Sequence, residues 1–150
     1  MPENSNFPAR GKVTSVTDQI VVFQPANTTY QLHLAPTSPF TGPQDKPLHA
    51  IVQVTARKVY TVPSGGNFIQ PIFGPPRIVQ GRVLYVDERS MVVQAGCPIH
   101  VELPSADLAI DLDNGNIAVG TMVNVVALPG AKFSQAEAPA APRPVAQTAR

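Results

Sequence analysis

Gly11-Lys12-Val13-Thr14-Ser15-Val16 returns seventy positions further along the chain as Gly81-Arg82-Val83-Leu84-Tyr85-Val86. Over the fifteen positions that start at Arg10 and at Gln80, five residues are identical. These are Gly11/Gly81, Val13/Val83, Val16/Val86, Val22/Val92 and Gln24/Gln94. Self-similarity at a fixed spacing indicates a repeated structural unit. The sequence therefore predicts two tandem copies of one strand-rich unit.

Later stretches of the two copies alternate between apolar and polar residues, as half-buried β-strands require. Tyr30-Gln31-Leu32-His33-Leu34 in the first copy and Ile99-His100-Val101-Glu102-Leu103 in the second are sixty-nine positions apart. A fourth stretch also repeats, as Ile51-Val52-Gln53-Val54-Thr55-Ala56 and Met122-Val123-Asn124-Val125-Val126-Ala127. We predict an all-β chain with four strands in the same order in each copy.

Three strands, a long connection and one or two more strands form an order that resembles the OB-type barrel. The resemblance implies two tandem, duplicated, small OB-like β-barrels. We place the first barrel in residues 8–74, the second in 77–133 and an Ala- and Pro-rich extended tail in 134–150. Residues 60–73 contain a Pro63-Ser64-Gly65-Gly66 turn and are predicted to form a hairpin that projects from the first barrel.

The composition makes several classes of function and partner improbable for this chain. Charged residues make up 14% of the chain and the net charge is +1, so no broad field attracts nucleic acid or anionic lipid. The single Cys97 excludes an intrachain disulfide. Neither a signal peptide nor an apolar run of membrane-spanning length is visible, so we expect a cytoplasmic protein that does not enter a membrane.

Motifs for catalysis and for cofactors are missing from the sequence. It contains no nucleophile elbow, phosphate loop or dinucleotide fingerprint, and no pair of carboxylates is marked out for acid–base work. His33 and His100 occupy equivalent places in the two copies, but a shared metal site would require the copies to pack about a pseudo-twofold axis. We therefore expect a non-enzymatic protein without a cofactor or metal, and two exposed strand histidines.

The segment Phe68-Ile69-Gln70-Pro71-Ile72-Phe73 is apolar, follows a Gly-Gly turn and is interrupted by proline. Proline disfavours a central strand, so these side chains need a groove elsewhere. They either close the bottom of their own barrel or dock on a partner. We predict an assembly subunit, such as one of a virion or another multi-protein particle, that binds protein partners or itself through this arm, sheet edges and the tail. The predicted partner-binding residues are Tyr60, Phe68, Ile69, Ile72 and Phe73.

Nucleic-acid binding is the alternative prediction. Such sites combine base-stacking aromatic residues with basic residues on an exposed sheet face. The candidates are Lys12, Arg57, Lys58, Arg82 and Tyr85, of which Lys12 and Arg82 are equivalent in the repeat. The low net charge argues against this function. A third possibility, a small anion or sugar in a barrel mouth, has no residues that we can name.

Overall fold

The protein is all-β, as the sequence predicts. The computed structural model describes residues 7–17, 19–63, 65–87, 89–103 and 117–136. Strands make up 60% of these residues, and none of them is helical. The described part of the chain therefore holds no helix that could span a bilayer.

Eleven strands form one mixed sheet. Their bounds are β1 (Ala9–Val16), β2 (Val21–Pro25), β3 (Gln31–Pro36), β4 (Leu48–Thr61), β5 (Phe68–Gln70), β6 (Phe73–Gly74), β7 (Ile78–Val86), β8 (Ser90–Gln94), β9 (Pro98–Glu102), β10 (Met122–Ala127) and β11 (Lys132–Ala136). The predicted strands are thus present, and β4 continues beyond the repeated stretch that ends at Ala56, as far as Thr61.

The ladders β1–β2 and β7–β8 match in detail. Val13 pairs with Phe23 and Ser15 with Val22, so the register shifts by one residue between them. The same shift falls between Val83 and Tyr85, seventy positions on. A bulge or irregularity therefore falls at the equivalent site of both ladders.

The turns that close these two ladders also match. The hydroxyl of Thr17 accepts a hydrogen bond from the backbone N–H of Ile20 at 3.1 Å. The carboxylate of Asp87, seventy positions on, accepts from Ser90 N at 2.9 Å. Burial raises the pKa of Asp87, but hydrogen bonds from Arg89, Tyr85 and Ser90 outweigh burial and lower it overall. Both turns use a side-chain acceptor that ties down the following backbone.

The third strands lie at a different spacing from the predicted one. Val22 pairs with His33 and Val92 with His100, which makes the two histidines equivalent at a spacing of 67 rather than 69. The connection from β8 to β9 is shorter than that from β2 to β3, and this accounts for the difference. Because both spacings are odd, the alternation of faces along the strand is kept.

Strand β4 serves both halves of the chain. Its first part pairs antiparallel with β1, through Ala50 and Ala9, and with β11. Its second part pairs parallel with β9, through Gln53 and His100, and antiparallel with β10. A 14-residue strand is long enough to cross from one set of neighbours to the other.

The pairings close on themselves twice. We call the cycle β1-β2-β3-β11-β4 ring 1 and the cycle β7-β8-β9-β4-β10 ring 2. Ring 1 is completed by β11, which follows ring 2 in the chain, and ring 2 is completed by the second part of β4. The strand pairing therefore crosses the predicted boundary between residues 74 and 77 in both directions.

The predicted hairpin and tail are arranged differently in the structure. The second part of β4 pairs with β10, whereas β5 pairs antiparallel with β7 and β6 pairs parallel with β3. The arms of the predicted hairpin therefore pair with other strands rather than with each other. Residues 134–136, placed in the tail by the sequence, belong to β11, and residues 137–150 lie outside the described residues.

One buried apolar cluster runs through both rings. Phe133 of β11 packs against Phe23 and Phe40, with ring centroids 5.9 and 5.8 Å apart. Val83 and Ile99 extend the same cluster into ring 2. The two halves therefore share a core as well as strands.

Candidate interaction surfaces

Two consecutive apolar side chains stand out on the surface. Ile72 is 59% exposed and Phe73 is 64% exposed. Pro71 before them is also exposed. We call residues 71–73 the apolar ridge. Single exposed apolar residues are ordinary, but adjacent large ones mark a candidate contact surface.

The backbone of the apolar ridge is fixed to β3. Gln31 N donates to the carbonyl of Ile72 at 2.7 Å, and Phe73 pairs with Gln31 in a short parallel ladder. The Phe73 ring meets His33 edge-on, with centroids 4.5 Å apart. The exposed side chains therefore project from an ordered segment.

The surroundings of the ridge are partly polar. Ile72 borders an open depression of about 520 Å³ whose other lining residues are Asn27, Thr28, Thr29 and Tyr30. The Nε2 atom of His33 is buried and has no hydrogen-bond partner among the described residues. Apolar anchors beside a depression that also offers hydroxyl and amide groups are an arrangement found in protein interfaces.

Ile69 and Phe68 differ from the ridge residues. Ile69 is only 1% exposed and belongs to the core cluster, and its N–H donates to the Tyr30 hydroxyl at 3.1 Å. Phe68 is half-buried. Ile69 therefore belongs to the core of the protein itself. Ile72 and Phe73, on the ridge, remain available to a partner.

A second surface is the outer face of four adjacent strands, β4, β10, β7 and β5. Residues that lie directly opposite each other in antiparallel strands share a face. Tyr60, Asn124, Gln80 and Phe68 therefore form one row across the four strands. The inner row beside it is Val59, Val125, Val79 and Ile69, and all four are buried. We call the outer surface the four-strand face.

The side-chain amides of Asn124 and Gln80, in the middle of this row, are hydrogen-bonded to each other. Asn124 Nδ2 donates to Gln80 Oε1 at 2.9 Å, and Gln80 Nε2 donates to the carbonyl of Gly66 at 3.0 Å. Gln80 is consequently buried, whereas Tyr60 remains 51% exposed. The accessible part of the row lies toward β4.

The next row of the four-strand face consists of Lys58, Val126, Ile78 and Gln70. Arg57 is exposed at the register shift beside Lys58. Arg77 is exposed at the same end of the sheet but lies in the inner row, because its carbonyl accepts from Ala127 N and Ala127 pairs with buried Ala56. Two cations, Arg57 and Lys58, therefore lie at one end of the face.

The predicted nucleic-acid residues do not share one surface. Lys12 lies in ring 1, where its ammonium is 3.9 Å from the Asp45 carboxylate. Arg82 is on the four-strand face, at the end away from Lys58, and its Nη1 donates to the Gly120 carbonyl at 3.0 Å. Tyr85 donates to Asp87 Oδ2 at 2.8 Å. Only Arg57 and Lys58 come close together.

The histidines do not form a site together. His100 is 5% exposed, and its Nε2–H donates to the Phe7 carbonyl at 2.9 Å, so the expectation of two exposed histidines is wrong for His100. Burial lowers the pKa of His100, and the hydrogen bond to Phe7 partly opposes that shift. Within the described ranges, no group of three His, Cys, Asp or Glu residues could hold a metal ion.

Several residues of these surfaces were missed by sequence reasoning. They are His33 beside the ridge, and Asn124, Val126, Ile78 and Gln70 on the four-strand face. Strand alternation assigns each residue to a face, but it does not tell which strands are neighbours. The register of β4 against β10 is the information that brings Tyr60 and Lys58 to Asn124 and Val126.

Comparisons with known proteins gave no further guide to these surfaces. No family model, curated protein or solved structure matches the chain.

Proposed function

We propose that this protein is a non-enzymatic interaction subunit that binds another protein chain, a second copy of itself included, through the apolar ridge. The observation that carries the proposal is the exposure of Ile72 and Phe73 on a segment whose backbone is hydrogen-bonded to β3. Fully burying an Ile or Phe side chain contributes about 1.5–3 kcal/mol. Two adjacent anchors of this size are typical of the residues that dominate interface energy.

The fixed backbone of the ridge supports the same function. Binding is opposed by the entropy lost when interface groups become ordered, and groups that are already held lose less. The hydrogen bond from Gln31 to Ile72 and the contact of Phe73 with His33 hold the ridge before any partner arrives. Ile72 and Phe73 therefore lose less conformational entropy on binding than side chains on a free loop would lose.

Side-chain docking is favoured over strand addition. Every strand of ring 1 and ring 2 has a hydrogen-bonded neighbour on both sides within the described residues. β5 and β6, outside the rings, are two or three residues long and separated by Pro71. Short strands flanked by proline are poor templates for an added strand. The sheet edges named from the sequence therefore contribute less than the ridge.

The fold itself supports a more specific proposal about origin. We propose that ring 1 and ring 2 are OB-like barrels that descend from a duplicated module. The shared register shift at Val13 and Val83, and the matching turns at Thr17 and Asp87, favour this origin. In this proposal the two barrels exchange their last strands.

Mass measurement tests the proposed function. Light scattering over a range of concentrations is expected to give a mass above the 15.9 kDa of one chain. The double variant I72S/F73S should lower that mass toward the monomer. Val119, which is 67% exposed, provides the matched control, and V119S should leave the mass unchanged.

Binding to a protein other than a second copy of this chain requires a separate experiment. A photo-crosslinking amino acid placed at Phe73 in cells should join the chain to a protein, and the same group at Val119 should not. A monomeric wild-type chain with no crosslinked product at Phe73 would contradict the proposed function.

A further inference from the structure

The four-strand face combines an aromatic side chain with a cluster of positive charge. Tyr60 is 51% exposed on this face, and Lys58 follows it two residues away on the same strand. Arg57 is exposed next to Lys58 at the same end of the face. Half-buried Val126 and Ile78 continue the row of Lys58 across β10 and β7.

Three acidic side chains belong to the described ranges. Asp45 lies against Lys12, Asp87 lies in the turn after β7, and Glu102 of β9 accepts a hydrogen bond from Thr55 of β4 at 3.3 Å. Glu102 therefore borders the charged end of the face, whereas Asp45 and Asp87 lie elsewhere. The positive charge of the face is local to Arg57 and Lys58, because the complete sequence has a net charge of only +1.

We propose that the four-strand face binds single-stranded nucleic acid. A base stacks on the exposed ring of Tyr60, and Arg57 and Lys58 contact the phosphates. The amide oxygen of Asn124 lies beside Tyr60 in the same row and is placed to accept a hydrogen bond from a base edge, since the amide nitrogen already donates to Gln80. Stacking on an aromatic side chain requires an unstacked base, which a single strand offers and a duplex does not.

This site is separate from the apolar ridge. It uses β4, β10 and β7, whereas the ridge is fixed to β3. A partner protein on the ridge and a nucleic acid on the four-strand face are therefore two independent binding events. If an experiment disproves one of these binding events, the proposal for the other is unaffected.

Binding of a fluorescently labelled oligothymidylate to the full chain tests the proposal. Anisotropy should show affinity that falls as salt rises from about 50 to 200 mM. Y60A should weaken binding roughly tenfold or more, as expected when a stacking ring is removed. Y60F keeps the ring and should retain most of the affinity. As a control, equal urea unfolding midpoints for the wild type, Y60A and Y60F would show that the substitutions leave the fold intact.

Two double variants separate a site from general charge attraction. R57A/K58A should reduce the slope of log affinity against log salt by about 1.4, since each phosphate contact contributes about 0.7 for single strands. R10A/K132A removes two exposed cations from ring 1 and should leave that slope nearly unchanged.

Three results would overturn the proposal. They are no binding of the oligonucleotide at either salt concentration, equal loss of affinity in the two double variants, and displacement of the oligonucleotide by polyglutamate of matched charge. The last result would assign the face to acidic peptides.

Discussion

Gln53 and His100 lie opposite each other in a parallel ladder, although they come from different halves of the chain. Gln53 also pairs with Lys132, which follows ring 2 in the sequence. This residue marks the point where β4 leaves ring 1 and enters ring 2. The two rings are therefore closed by strands that each half supplies to the other.

Gly11 and Gly81 explain why glycine begins both copies of the repeated stretch. A Cβ at Gly11 would lie 2.3 Å from the Gln24 carbonyl oxygen, and one at Gly81 would lie 1.9 Å from that of Gln94. We expect G11A and G81A each to lower the free energy of unfolding by about 1–3 kcal/mol, the usual cost of overpacking. Urea unfolding measures the change.

Gly66 is the matched control for these substitutions. A Cβ there would meet no heavy atom within 4 Å, so G66A should change the unfolding free energy by less than about 0.5 kcal/mol. If all three alanine variants were equally stable, close backbone approach would not be the reason for the two repeated glycines.

Phe133 should be a large contributor to the stability of ring 1. It is 2% exposed and packs against Phe23 and Phe40. F133A should cost about 3–5 kcal/mol in unfolding free energy. Q135A, at an exposed position of the same strand, should cost less than about 0.5 kcal/mol. Because both rings share one core, F133A should shift a single unfolding transition; separate transitions for the halves would contradict the shared core.

Acid should destabilise the fold through His100. Burial lowers its pKa below the ordinary 6.5, and the hydrogen bond to Phe7 opposes this only in part. The stabilisation from the neutral ring is present above pH 6.5 and is lost as the pH falls through the lowered pKa of the folded state. Urea midpoints measured from pH 7.5 to pH 4.5 should fall for the wild type and fall less for H100Q. H49Q, which leaves the Phe7 contact intact, should follow the wild type, and identical profiles for all three chains would rule out this role.

The thiol of Cys97 should be inert in the folded protein. Cys97 is buried, and burial raises its pKa to about 12. A thiolate is the reactive form, so an aromatic disulfide reagent at pH 8 should react only when the chain unfolds. The reaction rate should rise with urea in step with the unfolded fraction. Rapid, complete reaction in buffer alone would show that the thiol is accessible.

The sequence predicts local structure well in this protein. Leu32 and Leu34 alternate with Gln31 and His33, and the structure buries the two leucines as expected from the two-residue period. The positions of the strands and of the polar turns between them are determined by residues that are close together in the sequence. These features could therefore be predicted without knowing the fold.

Long-range pairing could not be predicted in the same way. The turn signal at residues 63–66 suggested that residues 60–62 fold back on residues 67–73. Pairing with β10 prevails instead, because it places Val59 beside Val125 in the core. Neither the composition nor the period of a strand identifies its neighbour, so the apolar ridge and the four-strand face emerge only from the register.

Both proposed surfaces depend on reciprocal strand exchange, because it sets β4 beside β10 and pins the connection between the halves. The most direct test is to insert a protease site between Gly65 and Gly66, two exposed residues, and to cut the folded full-length chain. The exchange predicts that the two pieces elute together with the uncut protein, and that residues 53–61 keep their protection from hydrogen exchange. Pieces that separate under native conditions, or rapid exchange of residues 53–61 after cutting, would contradict it.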